Sequence, residues 1–324
     1  MIYNYLGGTG VRVSNICLGT MNFGHWTNEK DSQMIMDYAI DQGVNFFDTA
    51  NVYGGSLGRG TTEEYIGHWL KANPHKREDL VLATKVYGEM GDTGINNRRL
   101  SAYHIKQACE DSLRRLQTDH IDLYQMHHVD RNTPWEEIWQ AMEQLIREGK
   151  ILYVGTSNFA GWHIVQGNEV ANRRNTLGIV SEQSLYHLEN RAIEAELIPA
   201  CEEYGVGIIP WSPLGGGLLG GVLKKLDEGR RASDEMLKRV EKHRDKLERY
   251  EALCDEIGER PADVALAWLM ANPAVTAPIV GPRTLEQFKE NIHSVNVDLS
   301  EDTMKKLDKI WPGPGGPAPE CYAW

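Results

Sequence analysis

Eight short apolar runs alternate along this chain with stretches whose apolar residues recur at helical spacing. The runs lie near 16–22, 45–49, 80–86, 121–127, 151–156, 179–184, 206–211 and 276–280. They are continuous rather than alternating, which suits strands covered on both faces. The stretches between them, near 30–42, 62–72, 101–116, 135–148, 162–173, 193–204, 261–271 and 284–294, have the length of the crossovers that parallel strands require. Eight such units close more readily into a barrel than they extend as an open sheet. The pattern therefore predicts an α/β fold of the (β/α)8 TIM-barrel type, with residues 1–324 as one domain.

Punctuation supports this. Thr61 with Glu64, Thr133 with Glu136 and Thr284 with Gln287 have capping-box spacing. Pro134 and Pro261 stand where first helical turns begin, and Gly43, Gly149 and Gly205 where helices end. Three segments fall outside the repeat. Residues 3–14, with Gly7-Gly8 at their centre, are expected to form a hairpin covering the barrel bottom. Residues 212–260 hold a long Gly-rich loop after the seventh strand and then a charged helix. Residues 295–324 hold an extra helix near 301–310 and a Pro/Gly-rich tail.

The net charge of -12 argues against nucleic acid or an anionic membrane as a partner. Cys17, Cys109, Cys201, Cys254 and Cys321 show no CxxC spacing and sit mostly in apolar segments, as buried thiols of a reducing compartment would. No charged region followed by an apolar stretch opens the chain, and no run reaches the roughly 20 apolar residues of a membrane span. The expectation is a cytoplasmic protein.

Three polar residues close successive apolar strands: Asp48, Lys85 and His127. Singly, Asp48 could form a turn and His127 could be structural. Lys85 is harder to explain, because a buried lysine loses its charge unless it is paired, and Asp48 comes from the neighbouring strand. Strand alternation puts Val44, Phe46 and Asp48 on one face, with Val81, Ala83 and Lys85, and Ile121, Leu123, Gln125 and His127. The same alternation turns His128 away from His127, so the pair makes a poor metal site. No HxH occurs, and no metal is expected. Tyr53 follows Asp48 in a Gly-rich loop. A lysine beside this phenol would lower its pKa from about 10 and give an acid suited to protonating a carbonyl oxygen. His127 would orient that oxygen. No side chain carries hydride, so such a site needs a nicotinamide cofactor.

The string from Gly43 to Ala50, then Val52-Tyr53-Gly54 and Glu64 to Gly67, resembles the signature of the aldo-keto reductases. So do Ile121 to His127, Gly155-Thr156-Ser157-Asn158-Phe159 and Trp211-Ser212-Pro213-Leu214-Gly215. The resemblance implies NADP(H), extended along the carboxyl ends of the strands, and reversible reduction of a small-molecule carbonyl. It implies a catalytic tetrad of Asp48, Tyr53, Lys85 and His127, with Tyr53 as acid. By the same resemblance Ser157, Asn158 and Gln183 hold the nicotinamide carboxamide, and Trp211 stacks on the ring. Gly19, Thr20, Met21 and Asp48 lie near the ribose. Ser212, Pro213, Leu214, Gly215 and Gly217 cover the pyrophosphate. Gly281, Arg283, Gln287, Glu290 and Asn291 hold the adenosine end, with Arg283 on a 2′-phosphate.

Trp26, Tyr87 and His128 are expected to meet the substrate, together with an aromatic tail through Trp311, Tyr322 and Trp324. The tail resembles bacterial members, some of which reduce sugar or polyketide ketones. Trp211 matches the subgroup similar to potassium-channel β subunits. That leaves open a regulatory NADP(H)-binding protein with little turnover, and it implies a homo-oligomer. The basic residue expected after the seventh strand's loop has two candidates, Lys224 and Arg230. Gly215 to Gly220 satisfies GxGxxG, but it follows the seventh strand and meets no acid at the end of a next strand. It reads as a phosphate-covering loop rather than a Rossmann fingerprint.

Overall fold

The computed structural model describes residues 1–91, 94–224 and 233–323. All eight runs are strands. After the hairpin β1 (Tyr3–Tyr5) and β2 (Arg12–Ser14) come β3 (Cys17–Gly19), β4 (Phe46–Asp48), β5 (Val81–Val86), β6 (Ile121–Met126), β7 (Ile151–Ser157), β8 (Ile179–Leu185), β9 (Gly207–Trp211) and β10 (Ile279–Val280). Strands β3 to β9 pair in sequence order, in parallel, and β10 pairs with β3.

The barrel closes through a divided last strand. Ile208 N–H donates to Ala274 O at 3.0 Å, and Thr276 N–H donates to Ile208 O at 2.8 Å. Two residues on, Pro278 has no N–H to give. Its carbonyl accepts from Cys17 N–H at 3.0 Å, and the chain then follows β3 instead. This is why the apolar run 276–280 is regular strand only at Ile279–Val280.

The helices are α1 (Glu29–Asp41), α2 (Thr61–Ala72), α3 (Ala102–Leu116), α4 (Trp135–Arg147), α5 (Gly161–Arg173), α6 (Leu197–Glu203), α7 (Asp234–Lys242), α8 (Arg244–Ile257), α9 (Pro261–Met270), α10 (Leu285–Ile292), α11 (Glu301–Ile310) and α12 (Glu320–Ala323). The charged helix expected within 212–260 is two helices, α7 and α8, meeting at His243. Among the described residues no helix is long and apolar enough to cross a membrane.

Alternation along the strands separates two cores. Cys17, Phe46, Val81, Ala83, Leu123, Val180 and Ile209 fill the barrel. Val44 and Ile121, at the entry ends of their strands, pack in the helix-side core instead. The hairpin plugs the bottom with Leu6, which has no exposed surface. Gly7, at φ +55, must be glycine, since a Cβ there would stand 2.2 Å from Val180 O.

Gly43, Gly149 and Gly205 end their helices at φ 81, 70 and 64, and Pro261 opens α9, as expected. Two caps differ from expectation because the preceding loop takes the hydroxyl. Thr61 is itself helical and donates to Gly58 O at 3.0 Å, leaving left-handed Gly60 as the cap. Thr133 donates to Asp130 Oδ2 at 2.8 Å, and Pro134 is the cap of α4 rather than its first residue. Thr284 does cap α10, accepting from Gln287 N–H at 3.2 Å, but the Gln287 side chain reaches one residue further, to Arg283 N–H. All five cysteines are free; Cys321 is half-buried and the other four are buried.

Candidate active site

The carboxyl ends of β4, β5 and β6 bring the three strand-end residues together. Lys85 Nζ donates to Asp48 Oδ2 at 2.6 Å, to Thr49 O at 2.9 Å and to Tyr53 Oη at 3.3 Å. Lys85 has no exposed surface. Burial alone would pull its pKa down; Asp48 and Tyr53 overcome this and hold the ammonium above its usual value. The second Asp48 oxygen is occupied too, accepting from Gln125 Nε2 at 2.9 Å and Gln183 Nε2 at 2.8 Å. The acid is thus satisfied on both oxygens, which a buried ion pair requires.

Two expectations change here. Tyr53 keeps one face on the cleft, yet burial pushes its phenol up, and the opposing pull of Lys85 is the smaller effect. In this structure the phenol is therefore not tuned toward neutrality. His127 and His128 also do not diverge. Their rings stack with centroids 5.0 Å apart and planes 6° apart. The ladder of β6 ends at Met126, so strict alternation no longer governs the residues beyond it. His127 still meets Tyr53, edge to face at 6.0 Å. Burial, then Lys85 and His128, push His127 down to about 2, so its imidazole is neutral across the physiological range.

Above these groups opens a cleft of about 1210 Å³. At its inner end are Met21, Asp48, Tyr53, His127 and His128, with Ser157, Asn158, Gln183 and Trp211 along one wall. Ser212, Pro213, Leu214 and Gly217 form the middle. Gly281, Arg283, Gln287, Glu290 and Asn291 form the outer end. Two non-glycine residues on this wall are left-handed, Asn158 at φ 61 and Ser212 at φ 52. Such conformations persist only where the surroundings enforce them. For Asn158 the enforcers are visible: its side chain donates to His127 O at 3.2 Å and Ser157 Oγ at 2.9 Å, and it accepts from Trp211 Nε1 at 3.1 Å.

Other expected residues stand behind the cleft rather than on it. Thr20 donates to Asp48 O at 2.8 Å, Gly19 packs against Ile279, and the Gly215 carbonyl accepts from Arg239 at 3.1 Å. Arg239 also pairs with Glu189, tethering the Gly-rich loop to α7.

Trp26 and Tyr87, expected at the substrate, do not line the cleft. Trp26 stacks with the Arg283 guanidinium at 4.5 Å. It is held there because Asn22 donates to Gly281 O and Thr27 to Arg283 O, each at 2.8 Å. Tyr87 packs edge-on against His128 at 5.3 Å. The tail also runs elsewhere. Trp311 is buried, Arg191 binds its carbonyl, and Ala318 N–H donates to Ala195 O at 2.8 Å. Tyr322 is exposed on this outer path, while Trp324 and the cation candidate Arg230 lie outside the described residues.

Sequence reasoning missed Gln125, although parity had already put it beside His127. It also missed Asn22, Asp255, Glu259 and Arg260 on the cleft. The opening of α9 at Pro261 was the available signal for Arg260. Lys224 lines the cleft but is paired with Asp255 at 3.0 Å. Glu259, Asp263 and His293 converge within 4.8 Å of one another. Their charge already has partners within the chain, Asp263 with Arg260 and Glu259 with His293.

A sequence model of the aldo/keto reductase family matches residues 15–312. The chain is 52% identical over 327 residues to an uncharacterized oxidoreductase, YrpG, of Bacillus subtilis, covering 100% of both proteins. It is 34% identical to a versiconal hemiacetal acetate reductase of Aspergillus parasiticus, over 95% of this chain and 96% of that one. It is 33% identical to a probable voltage-gated potassium channel subunit beta of Arabidopsis thaliana, over 96% and 95%. The chain belongs to the aldo/keto reductase family and is an oxidoreductase.

Proposed function

We propose that this protein is an NADPH-dependent reductase of ketones or aldehydes, with Tyr53 as proton donor. The observation that carries the reading is the unbroken contact from Asp48 through Lys85 to the Tyr53 hydroxyl, at the inner end of a cleft of about 1210 Å³. The cleft's donor set fits that cofactor. Trp211 offers a flat indole beside the polar groups of Ser157, Asn158 and Gln183. Gly216 and Gly217 present bare backbone in left-handed conformations where phosphates would pass. Arg283 and Gln287 stand at the outer end. Arg283 is the group for a 2′-phosphate, with its guanidinium held against the Trp26 indole.

A bound reduced nicotinamide supplies hydride to the carbonyl carbon. The chain's residues handle the rest. Tyr53 gives its proton to the carbonyl oxygen as the alcohol forms. Lys85 then stabilises the phenolate, and Asp48 keeps Lys85 charged and in place. His127, being neutral, donates an N–H to the same oxygen without competing for its proton. His128, stacked behind His127 and exposed to the cleft, faces the substrate.

The substrate classes to try are polyketide ketones, sugar ketones and aldehydes, and two relatives are named as reductases of versiconal hemiacetal acetate and of norsolorinic acid. Likeness to channel β subunits favours a second reading, an NADP(H)-binding regulator with little turnover. Free and mostly buried thiols fit a reducing compartment such as the cytoplasm.

The test is NADPH oxidation, followed by its absorbance, against a panel of aromatic ketones, sugar ketones and aldehydes. Turnover of at least one supports the reductase. Tight NADPH binding with no turnover of any supports the regulator. No binding of NADPH sinks both.

A further inference from the structure

Glu182 has no exposed surface and sits on β8 one residue before Gln183. Alternation puts it on the helix side of the sheet, behind the cleft wall. Nothing in the reaction scheme uses it. A buried carboxyl is costly unless it is engaged; Oε2 has no hydrogen-bond partner among the described residues, so the partners of Oε1 indicate its purpose. Glu182 Oε1 accepts from Phe159 N–H at 3.1 Å and from the Ser184 hydroxyl at 2.6 Å. Phe159 directly follows Asn158, the left-handed residue that joins Trp211, His127 and Ser157. The Phe159 ring is fixed as well, edge-on to His163 at 5.9 Å. This turn is therefore held from the cleft side by Asn158 and from behind by Glu182. Without the rear anchor, a buried amide N–H would lose its acceptor beside a residue in a sparsely populated conformation. The turn would then relax and take the Asn158 side chain with it.

The geometry points to Glu182 as a positioning residue for the Asn158 turn, and through that turn for the carboxamide end of a bound nicotinamide nucleotide. This rests on the cofactor reading of the cleft. The anchor works by reach rather than by charge. Burial pushes the Glu182 carboxyl up to about 7, with the Ser184 and Thr156 hydroxyls and the Phe159 amide drawing it back, and a neutral side chain of the same length keeps the accepting oxygen.

NADPH titrated onto the full chain, followed by quenching of tryptophan fluorescence, tests this with two variants. Glu182→Gln keeps the oxygen within reach of Phe159 and is expected to bind NADPH within about threefold of the parent. Glu182→Asp is one methylene short and is expected to bind about tenfold more weakly, the scale of one lost hydrogen bond to a buried donor. KM for NADPH should rise by that factor while kcat at saturation changes less. Glu182→Asp binding as well as the parent overturns the proposal, and so does Glu182→Gln binding as poorly as Glu182→Asp. Should Glu182→Asp fail to fold, Ser184→Ala removes the hydroxyl that orients Oε1, and unchanged NADPH affinity there overturns it as well. A parent protein that does not bind NADPH overturns the cofactor reading along with this one. A parent that binds, with unaffected variants, overturns this one alone.

Discussion

The two ends of the cleft are built on opposite principles. At the inner end Asp48, Lys85, Gln125 and Gln183 are buried, and each makes more than one directed contact. At the outer end the pairs of Lys224 with Asp255 and of Arg260 with Glu290 are exposed, and only the further contact of Arg260 with Asp263 reaches a buried acid among the described residues. In a dry site each charge is strongly coupled to its neighbours, and removing one strands another. In water the same pair is screened and worth little. The inner end should therefore be intolerant of single changes, and the outer end should yield gradually.

The largest effect should come from Tyr53→Phe, which deletes the proposed proton donor and leaves the ring. Carbonyl reduction should fall by about a thousandfold, within the range for a lost general acid, while NADPH affinity barely moves. Steady-state rates and fluorescence titration together check this, and retained activity would remove Tyr53 from the mechanism.

Lys85→Met should come next. It leaves Asp48 buried with only the two amide donors, and it should lower stability by about 3 kcal/mol in urea denaturation. An unchanged midpoint would mean that the amides alone suffice. Arg283→Ala should weaken NADPH by about tenfold and NADH by little, because a charge-assisted contact to the 2′-phosphate is lost only for the former. Equal weakening of both would remove that role.

A smaller effect separates a buried acid from exposed ones. Glu182 has its folded pKa raised from 4.5 to about 7. Its contribution to stability is thus fully present below about pH 4.5 and is lost as pH rises through about 7. Glu182→Gln should flatten the melting-temperature profile between about pH 4.5 and 7, whereas substitution of exposed Glu290 should leave it intact. The smallest change is expected for Lys224→Ala. It should not shift the melting temperature, and it should weaken NADPH less than Arg283→Ala does. A larger shift than Arg283→Ala would show that the outer end is as tightly coupled as the inner.

What could be read from the sequence follows the same division. Asp48, Lys85 and His127 were legible because strand-end polar residues stand out against apolar runs and because parity assigns a face without knowledge of the partner. Gln125 was legible by the same rule and was passed over. Glu182 was not, because its purpose depends on Phe159, which belongs to the neighbouring strand's loop. His128 was misread because alternation was extended past Met126, where the ladder ends. Thr61 and Thr133 were misread because a hydroxyl near a helix start has a choice of acceptors, and local spacing does not reveal the competitor. Trp26 is expected at the substrate, while its position is set by loop 281–283, more than 250 residues away and invisible to local reading.

The divided last strand also bears on how the chain is made. Strand β3 has one edge that residues 278–280 cover, and β9 has one that residues 274–276 cover. At roughly 5–20 residues per second of synthesis, β3 waits about 15–50 seconds for its final neighbour. Until then the nascent sheet carries two open borders, the arrangement most prone to pairing with other chains. The seam at Pro278 is thus where the sheet's two ends meet, and it forms late in synthesis. Amide exchange should detect the first breathing of the finished barrel there too.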